Sequence, residues 1–377
     1  MASWTDLTGQ RDAIELLQSA SDPVTPKGLT HAWLITGPPG SGRSTLAYAF
    51  AAALLSREPG GDDVTRRQVE ARTHPDLSAL STDRVIITID EVRDLVRNAY
   101  RAPSVGRFRV MVVEDADRMT ERTSNLLLKS LEEPPSSTIW VLCAPSEADL
   151  LPTIRSRVRS VRLGVPTIDD VAELLERRDG VAPELAERAA REAQSHVGMA
   201  HRLATDPGAR QRRESTLRAV LDIRSAGQAV VTAGRLLELA GDDAKAYTSL
   251  RDEAERESTL RSLGVEPGQS VPPALRSQVR AMEEDQKRRA TRSLRDGLDR
   301  IMVDLLSLYR DIVLLQLGHD ATIINRELRP ELEEAARRTT PAVTIETLEA
   351  ISVARTRIEG NVAPALALEA MLVSAVR

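Results

Sequence analysis

The segment that decides the fold is Gly37-Pro-Pro-Gly-Ser-Gly42-Arg43-Ser44-Thr45, which follows the apolar run Ala32–Thr36 and opens a helical pattern. A glycine-rich turn between a strand and a helix is the context that the phosphate-binding pattern G-x-x-x-x-G-K-[ST] requires. Glycines let backbone N–H groups converge on phosphate oxygens, and the helix N-terminus adds a favourable dipole. The alternative is a glycine-rich turn without a ligand. The predicted phosphate loop comprises Gly37, Pro38, Pro39, Gly40, Ser41, Gly42, Arg43, Ser44 and Thr45.

One position of this loop departs from the pattern, because Arg43 stands where lysine is expected. Lysine presents a compact charge that reaches the β- and γ-phosphates, whereas guanidinium is a broad planar fork. We therefore expect Arg43 either to hold a phosphate in a displaced position or to turn away from it. Ser44 occupies the position of the hydroxyl that contacts Mg²⁺, so the expected ligand of a loop that still binds one is ATP or ADP with Mg²⁺.

The second expected site element is the acidic end of an apolar strand, where Glu114 and Asp115 follow Val112-Val113. In ATPases of this kind an Asp that orients the metal precedes a Glu that activates water. Here the order is reversed, which moves each carboxylate by about 1 Å, and such a misplacement can cost roughly 100-fold in rate. We expect a degenerate metal and catalytic site. Surface acids at a strand end are the alternative.

Strand-like and helix-like segments alternate in the first part of the chain, which is typical of a parallel sheet covered by helices. The predicted strands are Ala32–Thr36, Val85–Ile89, Arg109–Val113, Thr138–Cys143 and Ser160–Leu163. After Pro166 only helical patterns follow, with a loop at residues 264–273 and an apolar stripe at Ile301, Leu305, Leu308, Ile312 and Leu315. We therefore expect an α/β phosphate-loop domain over residues 1–165, a small helical lid over 166–208 and an all-helical domain over 209–377.

Charge and cysteine content exclude several classes of protein. The chain has 51 Lys and Arg against 56 Asp and Glu, for a net charge of −5. Contact with nucleic acid would therefore need a local patch. The arginines that form such a strip if they share a face are Arg72, Arg84, Arg97, Arg101 and Arg107. The single cysteine, Cys143, excludes an internal disulfide and a multi-cysteine zinc site. No apolar run approaches the ~18 residues of a membrane span, so we expect a cytoplasmic protein without a membrane partner.

Three further segments carry a family resemblance. Ser124–Pro135 is similar to the NALLKTLEEPP segment of bacterial clamp-loader subunits, and Leu150–Val158 is similar to their LLPTI-x-SRC segment. Arg357–Glu369 resembles the closing helix of their collar domain, and Thr73–Asp76 and Ile87–Arg93 also fit. With the degenerate loop and the reversed acidic pair, the chain resembles the delta-prime subunits of bacterial DNA polymerase III, of the high-GC Gram-positive type.

This resemblance implies an AAA+ fold whose collar joins five subunits, with gamma/tau and delta as partners, into an open ring. Such a ring, part of the polymerase holoenzyme, loads the sliding clamp onto primed DNA. The resemblance also implies that the chain is a stator, a subunit that hydrolyses little or no ATP itself. Such a subunit offers the arginine of its SRC motif to the ATP site of a neighbouring gamma/tau subunit. By that correspondence Arg157, beside Ser156, is an arginine finger acting in trans, a group worth ~10³–10⁵ in rate. An ordinary surface arginine is the alternative. Val158 stands at the position of the motif's cysteine.

Further departures weaken the chain's own ATP site. Ala144 and Pro145 stand where a polar residue senses the γ-phosphate, and His201-Arg202 lies in the region of the lid's nucleotide-sensing arginine. The segment Ser56–Arg72 replaces the four-cysteine zinc module of many relatives and contains no cysteine, so no zinc is expected. The alternative function is a self-sufficient AAA+ ATPase or motor, such as a gamma-like subunit or a helicase loader. Lysine at position 43 and an Asp-Glu order at 114–115 would favour that alternative.

Overall fold

The structure is a computed structural model that describes residues 4–56, 58, 61–82, 86–262, 276–319, 322–360 and 362–376. The chain divides into two compact units, residues 1–205 and 206–377. A parallel sheet lies in the first unit, and the described residues of the second contain helices without strands. The predicted class, α/β plus all-α, is confirmed. The division into three domains at residues 165 and 208 stays a prediction.

The first unit is built on a five-stranded parallel sheet with the order β2-β3-β4-β1-β5. The strands are β1 (Ala32–Thr36), β2 (Leu77–Leu80), β3 (Arg109–Val113), β4 (Thr138–Ala144) and β5 (Arg159–Arg162). The helices are α1 (Arg11–Ser21), α2 (Arg43–Leu55), α3 (Asp63–Glu70), α4 (Ile89–Ala99), α5 (Glu121–Glu132), α6 (Pro152–Arg155), α7 (Ile168–Asp179), α8 (Pro183–Glu192) and α9 (Val197–Thr205).

Both faces of this sheet are buried, which explains why the central strands are continuous apolar runs. Trp33 and Ile35 of β1 pack on one face in a core that includes Leu46 and Phe50 of α2. Leu34 packs on the other face, in a core shared with α4 and α5. Because the strands are parallel, every loop that leaves a carboxyl end reaches the same edge of the sheet. The phosphate loop and the acidic end of β3 share that edge.

Two strand assignments from the sequence differ from the structure. The predicted strand Val85–Ile89 is wrong in its described part, where Ile87 makes only an isolated bridge to Met119 and Ile89 begins α4. Thr88 caps that helix and forms a reciprocal capping box with Glu91, which competes with strand pairing. Strand β2 was not predicted, because its sequence LSAL is a short edge segment without a continuous apolar run.

The second unit consists of α10 (Pro207–Leu221), α11 (Ala226–Ser262), α12 (Arg276–Gln316), α13 (Arg329–Arg338), α14 (Pro341–Glu359) and α15 (Pro364–Ser374). The predicted apolar stripe is confirmed on α12, where Leu305 and Leu308 are fully buried and Leu315 packs against the same core. The predicted loop at 264–273 lies outside the described residues. The segment Arg357–Glu369, expected as one closing helix, contains the end of α14 and the start of α15. Pro364 opens α15, because proline fits the first turn of a helix but not its interior.

Candidate functional site

The predicted phosphate loop lies at the carboxyl end of β1 and leads directly into α2. Gly40 and Gly42 have φ angles of +80° and +93°, a region that residues with a Cβ rarely adopt. A Cβ on Gly40 would also lie 2.3 Å from Cγ of His196, so the imidazole ring packs directly on the loop. His196 Nδ1 accepts a hydrogen bond from the N–H of Met199 at 3.2 Å and thereby caps α9. The helix α9 therefore begins against the outer side of this loop.

Two features of the loop fit a phosphate group. No side chain caps the N-terminus of α2, so its first N–H groups and its helix dipole are available to an anion. The hydroxyl of Ser41 is buried and has no hydrogen-bond partner in the part of the chain that the structure describes. Buried polar groups are rarely left without a partner. These features are compatible with an anion at the loop, and the nucleotide-binding role of residues 37–45 stays a prediction.

Arg43 is held by its own loop. Its Nη1 donates a hydrogen bond of 2.5 Å to the carbonyl oxygen of Gly37, the first residue of the loop. Of the two expectations for Arg43, a displaced phosphate contact and a turn away from the phosphate, this contact favours the second. The lysine-like role of position 43 is therefore not supported by the side-chain position.

Glu114, at the end of β3, is already engaged by two donors. Its Oε1 accepts a hydrogen bond of 2.7 Å from the hydroxyl of Tyr48 in α2 and one of 2.6 Å from Nη2 of Arg72. Only 14% of its side chain is exposed. Burial raises the pKa of Tyr48 and the neighbouring Glu114 raises it further, so the phenol keeps its proton and remains a donor. In this Arg72–Glu114–Tyr48 cluster, the carboxylate at the end of β3 is therefore already hydrogen-bonded within the chain.

These contacts do not fit a magnesium site. Mg²⁺ needs carboxylate oxygens that are free to coordinate it in a near-octahedral shell with several waters. Glu114 pairs with Arg72, and Nε of Arg118 lies 3.8 Å from Oδ1 of Asp115. Within the described ranges no group of three or more His, Cys, Asp or Glu side chains could hold a metal ion. A metal-bound role for Ser44, Glu114 and Asp115 is therefore not supported by this geometry.

Ala144 and His201, two of the positions expected to sense a nucleotide, make other contacts. Ala144 is fully buried at the end of β4, and the carbonyl oxygen of Pro145 accepts a hydrogen bond of 3.2 Å from the N–H of Gly37. His201 is turned to α7, where its Nδ1 lies 2.7 Å from Oδ2 of Asp179. The strand end therefore supports the loop through its backbone and contributes no side-chain sensor.

Arg157, the predicted arginine finger, follows α6 and precedes β5. Its Nη1 donates to the carbonyl oxygen of Thr153 at 2.7 Å and to the hydroxyl of Ser156 at 3.0 Å, and its Nη2 lies 2.6 Å from Glu132. A third of its side chain, 34%, stays exposed. It borders an open cleft of about 910 Å³ that is also lined by His31 and Leu131. The guanidinium is thus held in one place at an accessible surface.

Arg157 and the phosphate loop lie at opposite edges of the sheet. Arg157 borders the same cleft as Ala32, the first residue of β1, whereas the phosphate loop follows Thr36, the last residue of β1. At ~3.3 Å per residue, these two ends of β1 are about 13 Å apart. Arg157 therefore lies at the end of β1 opposite the chain's own phosphate loop.

The segment Ser56–Arg72 is held by polar contacts. Asp62 caps α3 by accepting from the N–H of Thr65, and its other oxygen accepts from the hydroxyl of Ser56 at 3.0 Å. At the other end, Arg72 bonds Glu114 and Ser81. Residues 57, 59 and 60 lie outside the described part of the chain. These contacts attach the two ends of α3 to α2 and to the acidic end of β3, and the expected absence of zinc stays a prediction.

The predicted arginine strip does not appear as a set of free cations. Arg72 pairs with Glu114, Arg97 pairs with Asp94, and Arg107 donates to the carbonyl oxygens of Ser21 and Pro23. Arg101 is exposed, and Arg84 lies outside the described residues. At three of the four described positions the guanidinium is therefore already bound within the chain.

The contacts by which Tyr48, Arg72, Glu132 and His196 shape these sites were not predicted from the sequence. Their contacts join positions far apart in the chain, as with Arg72 and Glu114, which are 42 residues apart. No spacing rule connects such residues. For Glu132, its place in the LEEPP segment was visible in the sequence, but its pairing with Arg157 was not.

Comparison with known proteins finds similarity in the first part of the chain. Residues 9–167 match the family described as "DNA polymerase III, delta subunit". The chain is 38% identical over 134 residues to the delta-prime subunit of DNA polymerase III from Pseudomonas aeruginosa, a match covering 34% of this chain and 41% of that protein. Residues 9–167 are thus similar to DNA polymerase III delta-prime subunits. This similarity agrees with the resemblance drawn from the LEEPP and SRC segments.

Other relatives show how far the family likeness extends. The delta-prime subunit of Escherichia coli is 35% identical over 143 residues, or 36% of this chain and 43% of that protein. The gamma/tau subunit of Mycobacterium tuberculosis is 29% identical over 176 residues, or 41% of this chain and 28% of that protein. The matches to delta-prime subunits thus span less than half of the relatives' length.

Solved structures give a weaker likeness. A gamma subunit-related protein of DNA polymerase III from Thermotoga maritima covers 97% of this chain and 98% of its own, with 16% identity and a TM-score of 0.42. A TM-score this low supports no conclusion about function. In the described part of the chain no helix is both long and apolar enough to cross a membrane.

Proposed function

We propose that the chain is a clamp-loader subunit that assembles with gamma/tau and delta and acts mainly as a stator. The similarity of residues 9–167 to DNA polymerase III delta-prime subunits supports this role. The helices of residues 206–377 would serve as the collar that joins five subunits, through which the chain helps to load the sliding clamp onto primed DNA.

The observation that carries the proposal is the position of Arg157 at the edge of the sheet opposite the chain's own phosphate loop. An accessible arginine at the edge opposite its own phosphate loop is suited to a site on a neighbour. An arginine finger stabilises charge on the transferring phosphate and is worth ~10³–10⁵ in rate. Arg157 would supply that charge to the ATP site of gamma/tau.

The chain's own phosphate loop would bind ATP or ADP weakly, through the N–H groups at the start of α2, and would hydrolyse little or none. Arg43 is turned to Gly37, and Glu114 is engaged by Tyr48 and Arg72. A loop in this state can hold a phosphate by its backbone but lacks a free acid to activate water. This favours the stator over a self-sufficient ATPase.

Co-purification tests the assembly. Mixed with gamma/tau and delta, the chain should elute as one complex on size exclusion, and elution as a free chain would contradict the proposed membership. ATP hydrolysis by the isolated chain tests the stator role. We expect no turnover above background. Turnover that Arg43→Ala abolishes would instead support a self-sufficient ATPase.

A further inference from the structure

Arg72 reaches the acidic end of β3 from an unusual backbone position. It follows α3 with a φ of +56°, in the left-handed region that glycine normally occupies at the end of a helix. Its N–H bonds the carbonyl oxygen of Val69, and the N–H of Thr73 bonds that of Gln68, so the turn is closed around it. A residue with a side chain is strained in such a conformation. The fold therefore keeps an arginine where glycine would be less strained.

The side chain of Arg72 is fixed at three points. Nη2 bonds Glu114 at 2.6 Å, Nη1 bonds the hydroxyl of Ser81 at 3.1 Å, and the guanidinium carbon lies 5.3 Å from the centre of the Tyr48 ring. A stacking ring and a two-sided fork are contacts that guanidinium makes and ammonium does not. The strained backbone and these contacts together place one positive charge beside Glu114.

This charge stands where an active loop would need a metal ion. Glu114 directly follows β3, at the same edge of the sheet as the loop, and its largely buried carboxylate needs a counter-ion. A divalent cation within coordination distance of the same carboxylate would lie next to the guanidinium and be repelled by it. Repulsion from the paired guanidinium therefore weakens the binding of a divalent cation to Glu114.

We propose that Arg72 is a built-in cation that takes the place of a divalent metal ion beside the phosphate loop. The site is thereby neutralised without a metal, and divalent cations are excluded from Glu114. This inference does not depend on Arg157 or on assembly with other subunits.

Mn²⁺ binding to the full-length chain tests the proposal, with free Mn²⁺ measured from its EPR signal during a titration. The wild-type chain should show no Mn²⁺ binding that depends on Glu114, so Glu114→Gln should bind Mn²⁺ no more weakly than the wild type. Arg72→Gly should bind Mn²⁺ about tenfold or more tightly than the wild type, because it removes the repelling charge. The gain should disappear in the double variant with Glu114→Gln. Glycine suits the left-handed position, so this variant keeps the turn.

The matched control is Arg66→Ala on α3, which removes an exposed pair with Asp63 at 2.7 Å and should bind Mn²⁺ as the wild type does. Arg72→Gln provides a second neutral variant, and circular dichroism melts establish that each variant is folded. Mn²⁺ binding by the wild type through Glu114 would overturn the proposal. So would the absence of any gain in both folded Arg72 variants.

Discussion

The two edges of the parallel sheet carry charged residues in opposite states. At the carboxyl edge, Arg43 is bonded to Gly37, and Glu114 is bonded to Arg72 and Tyr48. At the amino edge, Arg157 is held by Thr153, Ser156 and Glu132 but still borders an open cleft. At the carboxyl edge, the charged side chains are bound to groups of the same chain. At the amino edge, the guanidinium of Arg157 stays accessible at the surface.

This difference teaches that the backbone of a loop and the side chains around it can change separately. The backbone of the phosphate loop has its glycines at positive φ and leads into a helix without a side-chain cap. Arg43 and Glu114 beside it are held by other groups of the chain. The proposed division of tasks, a weak nucleotide site at one edge and an arginine acting on a neighbour at the other, rests on this contrast.

The largest expected effect lies at the amino edge. In a loader reconstituted with gamma/tau and delta, Arg157→Ala should lower single-turnover ATP hydrolysis at the adjacent site by ~10³ or more. Arg157→Lys should recover only part of this, since ammonium lacks the planar fork. Arg155→Ala, an exposed neighbour in α6, is the control and should leave the rate unchanged. Equal effects of both alanine variants would reduce Arg157 to a general surface charge.

The next effect concerns stability at the same amino edge. Asp76, fully buried before β2, accepts hydrogen bonds from the N–H groups of Ser104, Val105 and Gly106 at 2.6 to 2.7 Å and pairs with Arg109 at 3.2 Å. Asp76→Asn leaves Arg109 buried without its counter-charge and should cost about 3–5 kcal/mol of unfolding free energy.

Urea unfolding measures this cost, with Asp94→Asn as the control. Asp94 forms an exposed pair with Arg97, so its loss should cost less than ~1 kcal/mol. A cost of less than 1 kcal/mol for Asp76→Asn would show that the buried pair does not organise this edge.

The stabilisation by Asp76 should also depend on pH. Burial raises the pKa of Asp76, but the hydrogen bonds from Gly106, Ser104 and Val105 and the charge of Arg109 outweigh burial and hold the pKa below its usual value. A lowered pKa gives stability that is present above the unfolded value of about 3.9 and is lost as the pH falls through the folded value. The stability difference between wild type and Asp76→Asn should therefore shrink below about pH 4. A difference that stays constant to lower pH would exclude this linkage.

The smallest effect lies at the carboxyl edge. Tyr48→Phe removes one of two donors to Glu114 and should lower the free energy of unfolding by about 1–2 kcal/mol, with no change in loader ATP hydrolysis. Tyr100→Phe is the matched control, since the Tyr100 side chain is half exposed. If ATP hydrolysis by the loader falls with Tyr48→Phe but not with Tyr100→Phe, the residues around Glu114 still take part in ATP hydrolysis.

Much of the fold could be predicted because burial leaves a mark on local sequence. The continuous apolar runs at Ala32–Thr36 and Arg109–Val113 are strands because both sheet faces are covered. Prediction failed at Val85–Ile89, where an apolar run precedes a capping box. The pair Thr88 and Glu91, with its T-x-x-E spacing, was the signal that a helix begins there.

The candidate sites could be predicted only where the residues concerned form a contiguous sequence motif. The glycines of the loop and the SRC-like segment are such motifs. The closure of the carboxyl edge is not, because Tyr48 and Glu114 are 66 residues apart and Arg72 reaches them through a positive φ that its residue type disfavours. Long-range side-chain pairs of this kind leave no periodic or compositional signal.

One assay tests the central claim that the two edges have different tasks. ATP hydrolysis by a loader containing gamma/tau and delta is measured with wild-type chain, with Arg43→Ala and with Arg157→Ala, at equal subunit concentrations. The account predicts that Arg43→Ala leaves hydrolysis unchanged and that Arg157→Ala removes the contribution of the adjacent site. Loss of hydrolysis with Arg43→Ala and an unchanged rate with Arg157→Ala would contradict it.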